Sequence, residues 1–239
     1  MTLVRKIALV VSIVFCCSLA LAAAVVASGG GFGPGVYAFK NKGATAAFGT
    51  LKGGPPSQGF SVSVDQGLNS FRPRDPNGPR TVVNSTIVNL SLFDDLGNVT
   101  FGCFIINPSD FSISKDLQAA RVHTTLTADE VCPGSGAPVT GKSGAIPFSV
   151  SGGGGTALPL PISLDMTWTG LGVTSSSTDR TTYQCLDYNT QFTSLYKSSN
   201  ANASGTMSAI AGSFKTTQAV VSSSDTKANI KGTPQPACL

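Results

Sequence analysis

The feature that most constrains the fold is the stretch 159–172, which reads PLPISLDMTWTGLG. Four large apolar residues share one side of it and alternate with polar ones: Ile162, Leu164, Met166 and Trp168. Side chains of a β-strand repeat their direction every two residues, so this pattern predicts a strand packed against a second layer. We expect Trp168, the only tryptophan, to be buried, and Gly170 and Gly172 to end the strand.

The rest of the chain favours the same kind of structure. After residue 27, no window of about 11 residues or more keeps the period of a helix, and turn signals recur about every 8 to 15 residues. This spacing predicts an all-β fold, an antiparallel β-sandwich of two packed sheets with jelly-roll or Ig-like topology. Residues 41–43 are expected to form a turn between two short strands, and residues 174–179 a loop rich in Ser and Thr.

Residues 1–27 predict a secretory signal peptide. Arg5 and Lys6 precede an apolar run that ends in small residues, and cleavage is expected between Ala22 and Ser28. The run is also long enough, at about 20 residues, to anchor the chain in a membrane if it is not cut. Residues 28–35 then form a flexible spacer and residues 36–239 a single all-β domain, which is secreted or held at the cell surface.

The cysteines agree with export. Two of the six lie in the signal segment, where lipid modification is an alternative, and the others form an even set: Cys103, Cys132, Cys185 and Cys238. An oxidising compartment favours two disulfides over free thiols. Three pairings are possible, and proximity in sequence favours Cys103 with Cys132 and Cys185 with Cys238. No CxxC pair indicates a zinc or redox site.

The charge is small and indicates no nucleic-acid partner. The chain carries a net charge of +4, and only 12% of its residues are charged. Such a surface suits an extracellular β-protein. No cofactor is expected.

The arginine-rich segment 71–80 is expected to be an exposed loop, because three prolines interrupt its sequence, FRPRDPNGPR. It is either a solvated connection or a recognition loop in which Arg72, Arg74 and Arg80 present planar donors.

The predicted turn at 94–98 offers a weak candidate for a calcium site. Asp94, Asp95 and Asn98 could offer hard oxygen ligands, although the spacing of a helix-loop-helix calcium loop is absent.

Catalytic motifs are few. Residues 136–143, GAPVTGKS, fit the formal phosphate-loop pattern, but a proline follows within four residues and no strand-to-helix context surrounds them, so we reject the motif. His123 and Glu130 are each unique in the chain. His123 is expected on a solvent-facing strand position, while a hydrolase of glycosidase or esterase type would have to combine aspartates with Glu130 or His123.

Three segments carry a resemblance: LDMTWTGLG at 164–172, the predicted strand at 117–127 and NASGTM at 202–207. Together they resemble uncharacterised secreted β-proteins of bacteria over about residues 117–210. The resemblance implies a β-sandwich and brings no established activity or site residues.

Two functional hypotheses follow. The first is an exported, non-catalytic protein with a binding or structural role, whose partner is an extracellular polysaccharide or another surface protein met by a polar sheet face or by the arginine-rich loop. The alternative is the secreted hydrolase. A membrane partner is expected only if the signal segment stays uncleaved.

Overall fold

The computed structural model describes residues 34–49, 59–73, 81–93, 99–132 and 160–232. Nine strands make up most of these residues: β1 (Gly35–Phe48), β2 (Gly59–Pro73), β3 (Thr81–Phe93), β4 (Val99–Ile106), β5 (Phe111–Ile113), β6 (Ala119–Leu126), β7 (Ile162–Cys185), β8 (Tyr188–Met207) and β9 (Ile210–Lys231). Two short 3-10 helices, Pro108–Asp110 and Ala128–Glu130, lie in connections. The prediction of an all-β fold is confirmed.

The described strands form one antiparallel sheet in the order β4-β3-β2-β1-β9-β8-β7-β6-β5. Most neighbours in the sheet are also neighbours in sequence, and the exception is β1 beside β9. The two packed sheets expected from the sequence are not confirmed, because hydrogen bonds connect all nine strands into a single ladder. Turn spacing cannot distinguish these arrangements, since both use short antiparallel connections.

The sheet curls so that its two edges approach each other. Its edge strands β4 and β5 are joined by only four residues, 107–110, which can span at most about 18 Å. Phe104 in β4 also forms an isolated bridge with Val131, which follows β6, and Cys103 is disulfide-bonded to Cys132 with a Cα separation of 5.4 Å. The edges therefore adjoin without forming a continuous ladder.

The concave side of the curled sheet holds the main core. It contains buried side chains from all nine strands, including stacked Phe48 and Phe60 with ring centroids 4.4 Å apart. Trp168 is fully buried there, and the predicted apolar side of its strand is confirmed in full. Its two cross-strand neighbours are Ala120 and Ala203, whose small side chains leave room for the indole.

A second apolar cluster lies on the opposite side of the sheet. In β1 the core residues begin at Ala44, whereas Tyr37 and Phe39 point the other way and pack with Ala228 and Ile230 of β9. The alternation of apolar residues therefore changes phase within one strand. The predicted turn at 41–43 is wrong, because β1 continues through these residues without a break in pairing. A change of phase and a turn interrupt the alternation in the same way.

Strand β7 is longer than expected. Residues 174–179 were predicted as a loop, and the structure shows them as strand paired with β8. Gly170 and Gly172 do not end the strand but lie at an irregularity, where the register shifts between Gly170 and Thr174. Residues 171–184 are exposed on both sides, so apolar alternation is absent and pairing alone holds them extended.

The arginine-rich segment begins later than predicted. Residues 71–73 belong to β2, where Phe71 pairs with Tyr37 of β1. The predicted hairpin between β3 and β4 is confirmed by the pairing of Phe93 with Val99. The prediction of a disulfide between Cys103 and Cys132 is confirmed; Cys185 is disulfide-bonded as well, and Cys238 lies outside the described residues.

The predicted signal peptide, nearly all of the spacer and the segment 136–143 lie outside the described residues. In the part of the chain that is described, no helix has the length and apolar character needed to cross a membrane.

Candidate functional site: a basic face of the sheet

The side of the sheet that lines the core continues beyond it as an exposed polar surface on β1, β9, β8 and β7. Residues directly opposite each other in an antiparallel pair point to the same side, so the register defines cross-strand rows. Three consecutive rows run Lys42, Ser223, Lys197, Ser176; then Lys40, Asp225, Leu195, Thr178; then Ala38, Lys227, Thr193, Arg180. We call these twelve residues the basic face.

The basic face concentrates positive charge. Five of its residues are basic and exposed, and Asp225 is its only acid. Nζ of Lys40 lies 3.8 Å from Oδ2 of Asp225, and among the described residues none forms an ion pair with the other four cations. Four net positive charges thus occupy this surface, as many as the net charge of the whole chain. These charges give the basic face a positive potential that favours anions.

The free cations are arranged in two rows. In the first row Lys42 and Lys197 are separated by the width of two strand spacings, about 9.6 Å, and in the third row Lys227 and Arg180 have the same separation. Between them lies the row in which Asp225 offsets the charge of Lys40. An anionic chain can therefore follow either outer row across the strands.

Local sequence explains how these side chains reach one surface. In β1, Lys40 and Lys42 alternate with Phe39 and Asn41, so that burial of Phe39 on one side directs the lysines to the other. The sequence carried this signal in the alternation Tyr-Ala-Phe-Lys-Asn-Lys at 37–42. Sequence reasoning missed it because residues 41–43 were interpreted as a turn. Lys197, Lys227 and Arg180 were missed because only the register brings their strands together.

The sequence-predicted arginines are placed only in part. The structure describes the backbone of Arg72, which pairs with Val36 at the end of β2, whereas Arg74 and Arg80 lie outside the described residues. Recognition by this segment therefore stays a prediction.

The weak calcium candidate formed by Asp94, Asp95 and Asn98 also lies outside the described residues. Among those that are described, no group of three or more His, Cys, Asp or Glu side chains is placed to hold a metal ion.

His123 lies beside an aspartate, on the outer side of the sheet. It is opposite Asp165 in the register, and its Nδ1 lies 3.4 Å from Asp165 Oδ2. Arg121 donates to the same carboxylate from Nε and Nη2, at 3.4 and 3.2 Å. These hydrogen bonds from Arg121 hold the pKa of Asp165 below its ordinary value. The His123 side chain is 74% exposed, so the cluster is a solvated polar row on a sheet surface.

Glu130 has a structural partner. Its Oε2 accepts hydrogen bonds from the backbone N–H of Thr127 at 2.9 Å and from the Thr127 hydroxyl at 3.2 Å, which forms a capping box around the second 3-10 helix. His123 lies in β6 and Glu130 in the 3-10 helix that follows it, but no hydrogen bond or ion pair joins the two side chains. The imidazole contacts Asp165 and the carboxylate contacts Thr127.

Comparison with known proteins gave no relatives: no family model, no curated protein and no solved structure matches this chain. The resemblance to secreted bacterial β-proteins therefore stays an expectation.

Proposed function

We propose that this protein is an exported, non-catalytic binding protein that holds an anionic ligand at the cell surface or outside the cell through its basic face. The observation that carries the proposal is the group of four exposed cations, Lys42, Lys197, Lys227 and Arg180, that no described acid neutralises. Like charges gathered on one open surface repel each other, and an anion bound across them relieves that repulsion.

Export is supported by two features of the chain. The first is the charged and apolar pattern of residues 1–27, which is typical of a signal peptide. The second is the disulfide between Cys103 and Cys132, a bond that persists in oxidising compartments. Expression with the native N-terminus, followed by N-terminal sequencing of the exported product, tests this part. We expect a mature chain that begins between residues 23 and 28; an intact N-terminus at Met1 would contradict cleavage.

The finer description of the fold as a sandwich belongs to the same proposal, as does the single all-β domain from residue 36. Phe104 in β4 and Val122 in β6 share one core cluster although their strands lie near opposite edges of the sheet. This supports two halves of the curled sheet that face each other as layers.

A matched pair of variants tests the binding surface. The first variant, Lys42→Gln with Lys197→Gln, removes two charges from the basic face. The control, Lys115→Gln with Lys215→Gln, removes two exposed lysines elsewhere, one in the connection before β6 and one on the outer side of β9. Both variants have the same net charge, so a difference between them reports position alone.

Retention on immobilised heparin, a general polyanion, is the measurement. We expect the wild type and the control to elute at similar salt concentrations. The basic-face variant should elute at a clearly lower salt concentration, because it has lost two of the exposed charges that attract the polyanion and salt screens those that remain. Elution of both variants at the same salt concentration, or failure of the wild type to bind at low salt, would refute the proposal.

A further inference from the structure

The spacing of charges on the basic face indicates a narrower class of ligand. We propose, resting on the binding function above, that the basic face holds a linear acidic polysaccharide with one anionic group on every second sugar, lying across the strands along the outer rows.

The separation of the cations is the first argument. Lys42 and Lys197 stand two strands apart, about 9.6 Å, and Lys227 and Arg180 repeat this distance in the third row. An extended polysaccharide that is charged on alternate sugars presents its anions at a comparable interval. Each outer row thus meets two successive charges of one chain.

The residues between the cations are the second argument. In the first row Ser223 lies between the two lysines, and in the third row Thr193 lies between Lys227 and Arg180. Hydroxyl groups both donate and accept hydrogen bonds, and the uncharged sugar of each repeat offers the same chemistry. The alternation of cation, hydroxyl and cation therefore matches an alternation of charged and neutral sugars.

None of the twelve residues of the basic face is aromatic, which argues against a single-stranded nucleic acid as the ligand. Single-stranded nucleic acids are held by basic grooves together with aromatic rings on which the bases stack, and this surface has the charge without the rings. An anionic membrane is also a poor match, since Leu195 is the one large apolar residue in the three rows and would give little insertion into a bilayer.

Direct titration with defined probes tests the ligand class. The probes are hyaluronan oligosaccharides, which carry one carboxylate per two sugars, polygalacturonate oligosaccharides, which carry one on each sugar, neutral dextran, oligo-dT and phosphatidylglycerol vesicles. We expect hyaluronan oligosaccharides to bind most tightly per charge, dextran not to bind, and affinity to fall as salt is raised.

A charge-conserving variant tests the spacing. Lys197→Gln with Ser176→Lys keeps the net charge and the row but widens the separation from Lys42 to three strands, about 14 Å. We expect about a tenfold loss of hyaluronan affinity and little change in retention on heparin, whose charges are dense. Both positions are exposed, and an unchanged thermal unfolding curve verifies that the variant folds.

The outcomes distinguish the two proposals. Tighter binding of polygalacturonate, oligo-dT or the vesicles, or unchanged hyaluronan affinity in the spacing variant, overturns the inference about alternate charges while the binding function stands. Failure of every anionic probe, heparin included, overturns both.

Discussion

Replacement of Trp168 by alanine is the sharpest test of the fold. The side chain is fully buried, and its cross-strand neighbours Ala120 and Ala203 are buried as well. Truncation of a core tryptophan costs about 3 to 5 kcal/mol, and the cost rises when the surroundings cannot collapse into the space. Alanine side chains fixed by the sheet ladder cannot move inward, so the cavity persists and the upper part of this range applies.

One feature of the site reduces the loss. Nε1 of Trp168 is buried without a hydrogen-bond partner, and an unpaired buried donor costs about 1 to 3 kcal/mol. Trp168→Ala removes that penalty together with the ring, which leaves a net destabilisation of about 1 to 4 kcal/mol. Trp168→Phe keeps most of the apolar volume and also removes the unpaired N–H, so we expect it to cost less than about 1.5 kcal/mol.

Urea unfolding followed by far-UV circular dichroism measures both values, since the variants lack the fluorescent probe. In the wild type, burial also predicts blue-shifted and quencher-resistant emission from this single tryptophan. The reasoning would be refuted if Trp168→Ala cost less than about 1 kcal/mol, or if Trp168→Phe cost as much as Trp168→Ala.

Three further predictions concern stability. Replacing Cys103 and Cys132 by alanine should cost about 3 to 4 kcal/mol, because their disulfide closes a loop with a sequence separation of 29; an unchanged urea midpoint would contradict this. Burial raises the pKa of Asp65 above its ordinary value of 3.8, so the folded state binds this proton more tightly and loses stability as pH rises through the raised pKa. Asp65→Asn, which keeps an acceptor for the Ser63 hydroxyl, should therefore be more stable than the wild type at pH 7 and lose this advantage as pH falls toward 3.8; a gap that widens at low pH would count against it. Gly205→Ala should cost about 2 kcal/mol or more in the same urea assay, since an added Cβ would overlap the backbone of Asp165, whereas Gly49→Ala meets open space and serves as the control.

The sequence was most informative in segments where the same side of the strand is buried from one end of the segment to the other. In the first half of β7 and throughout β6, alternate residues are buried, and the predicted apolar sides were found as expected. The first half of β7 and the whole of β6 pack against the core. Periodicity therefore reported their conformation and their orientation together.

Predictions failed where the environment of a strand changes along its length. Residues 41–43, Asn-Lys-Gly, were interpreted as a turn at the point where the buried side of β1 switches. Residues 174–179 were interpreted as a loop rich in Ser and Thr where neither side of β7 is buried. Both segments are held by pairing with neighbouring strands. Periodicity records burial and not hydrogen bonding, so it could not detect them.

The basic face depends on the same non-local pairing. Lys40 and Lys42 are close in sequence, but Arg180, Lys197 and Lys227 come from three other strands, and only the register places them in common rows. A register slip of one residue would turn every side chain of a strand to the other side. From the sequence alone, the arginine-rich segment at 71–80 was the basic feature that could be recognised. Residues 74–80 of this segment lie outside the described residues.

The change of phase in β1 connects stability to the proposed binding surface. Strand β8 has 20 residues and is about 66 Å long, more than one core can cover, so part of it must find another partner or remain exposed. The second cluster covers part of this length on the outer side of the sheet, where Tyr188 and Phe192 of β8 pack against the cluster formed by β1 and β9. The inner side above the core then needs no apolar residues to stay folded. Charged residues can occupy it and change without loss of the core, which is the physical condition for a binding surface on a sheet.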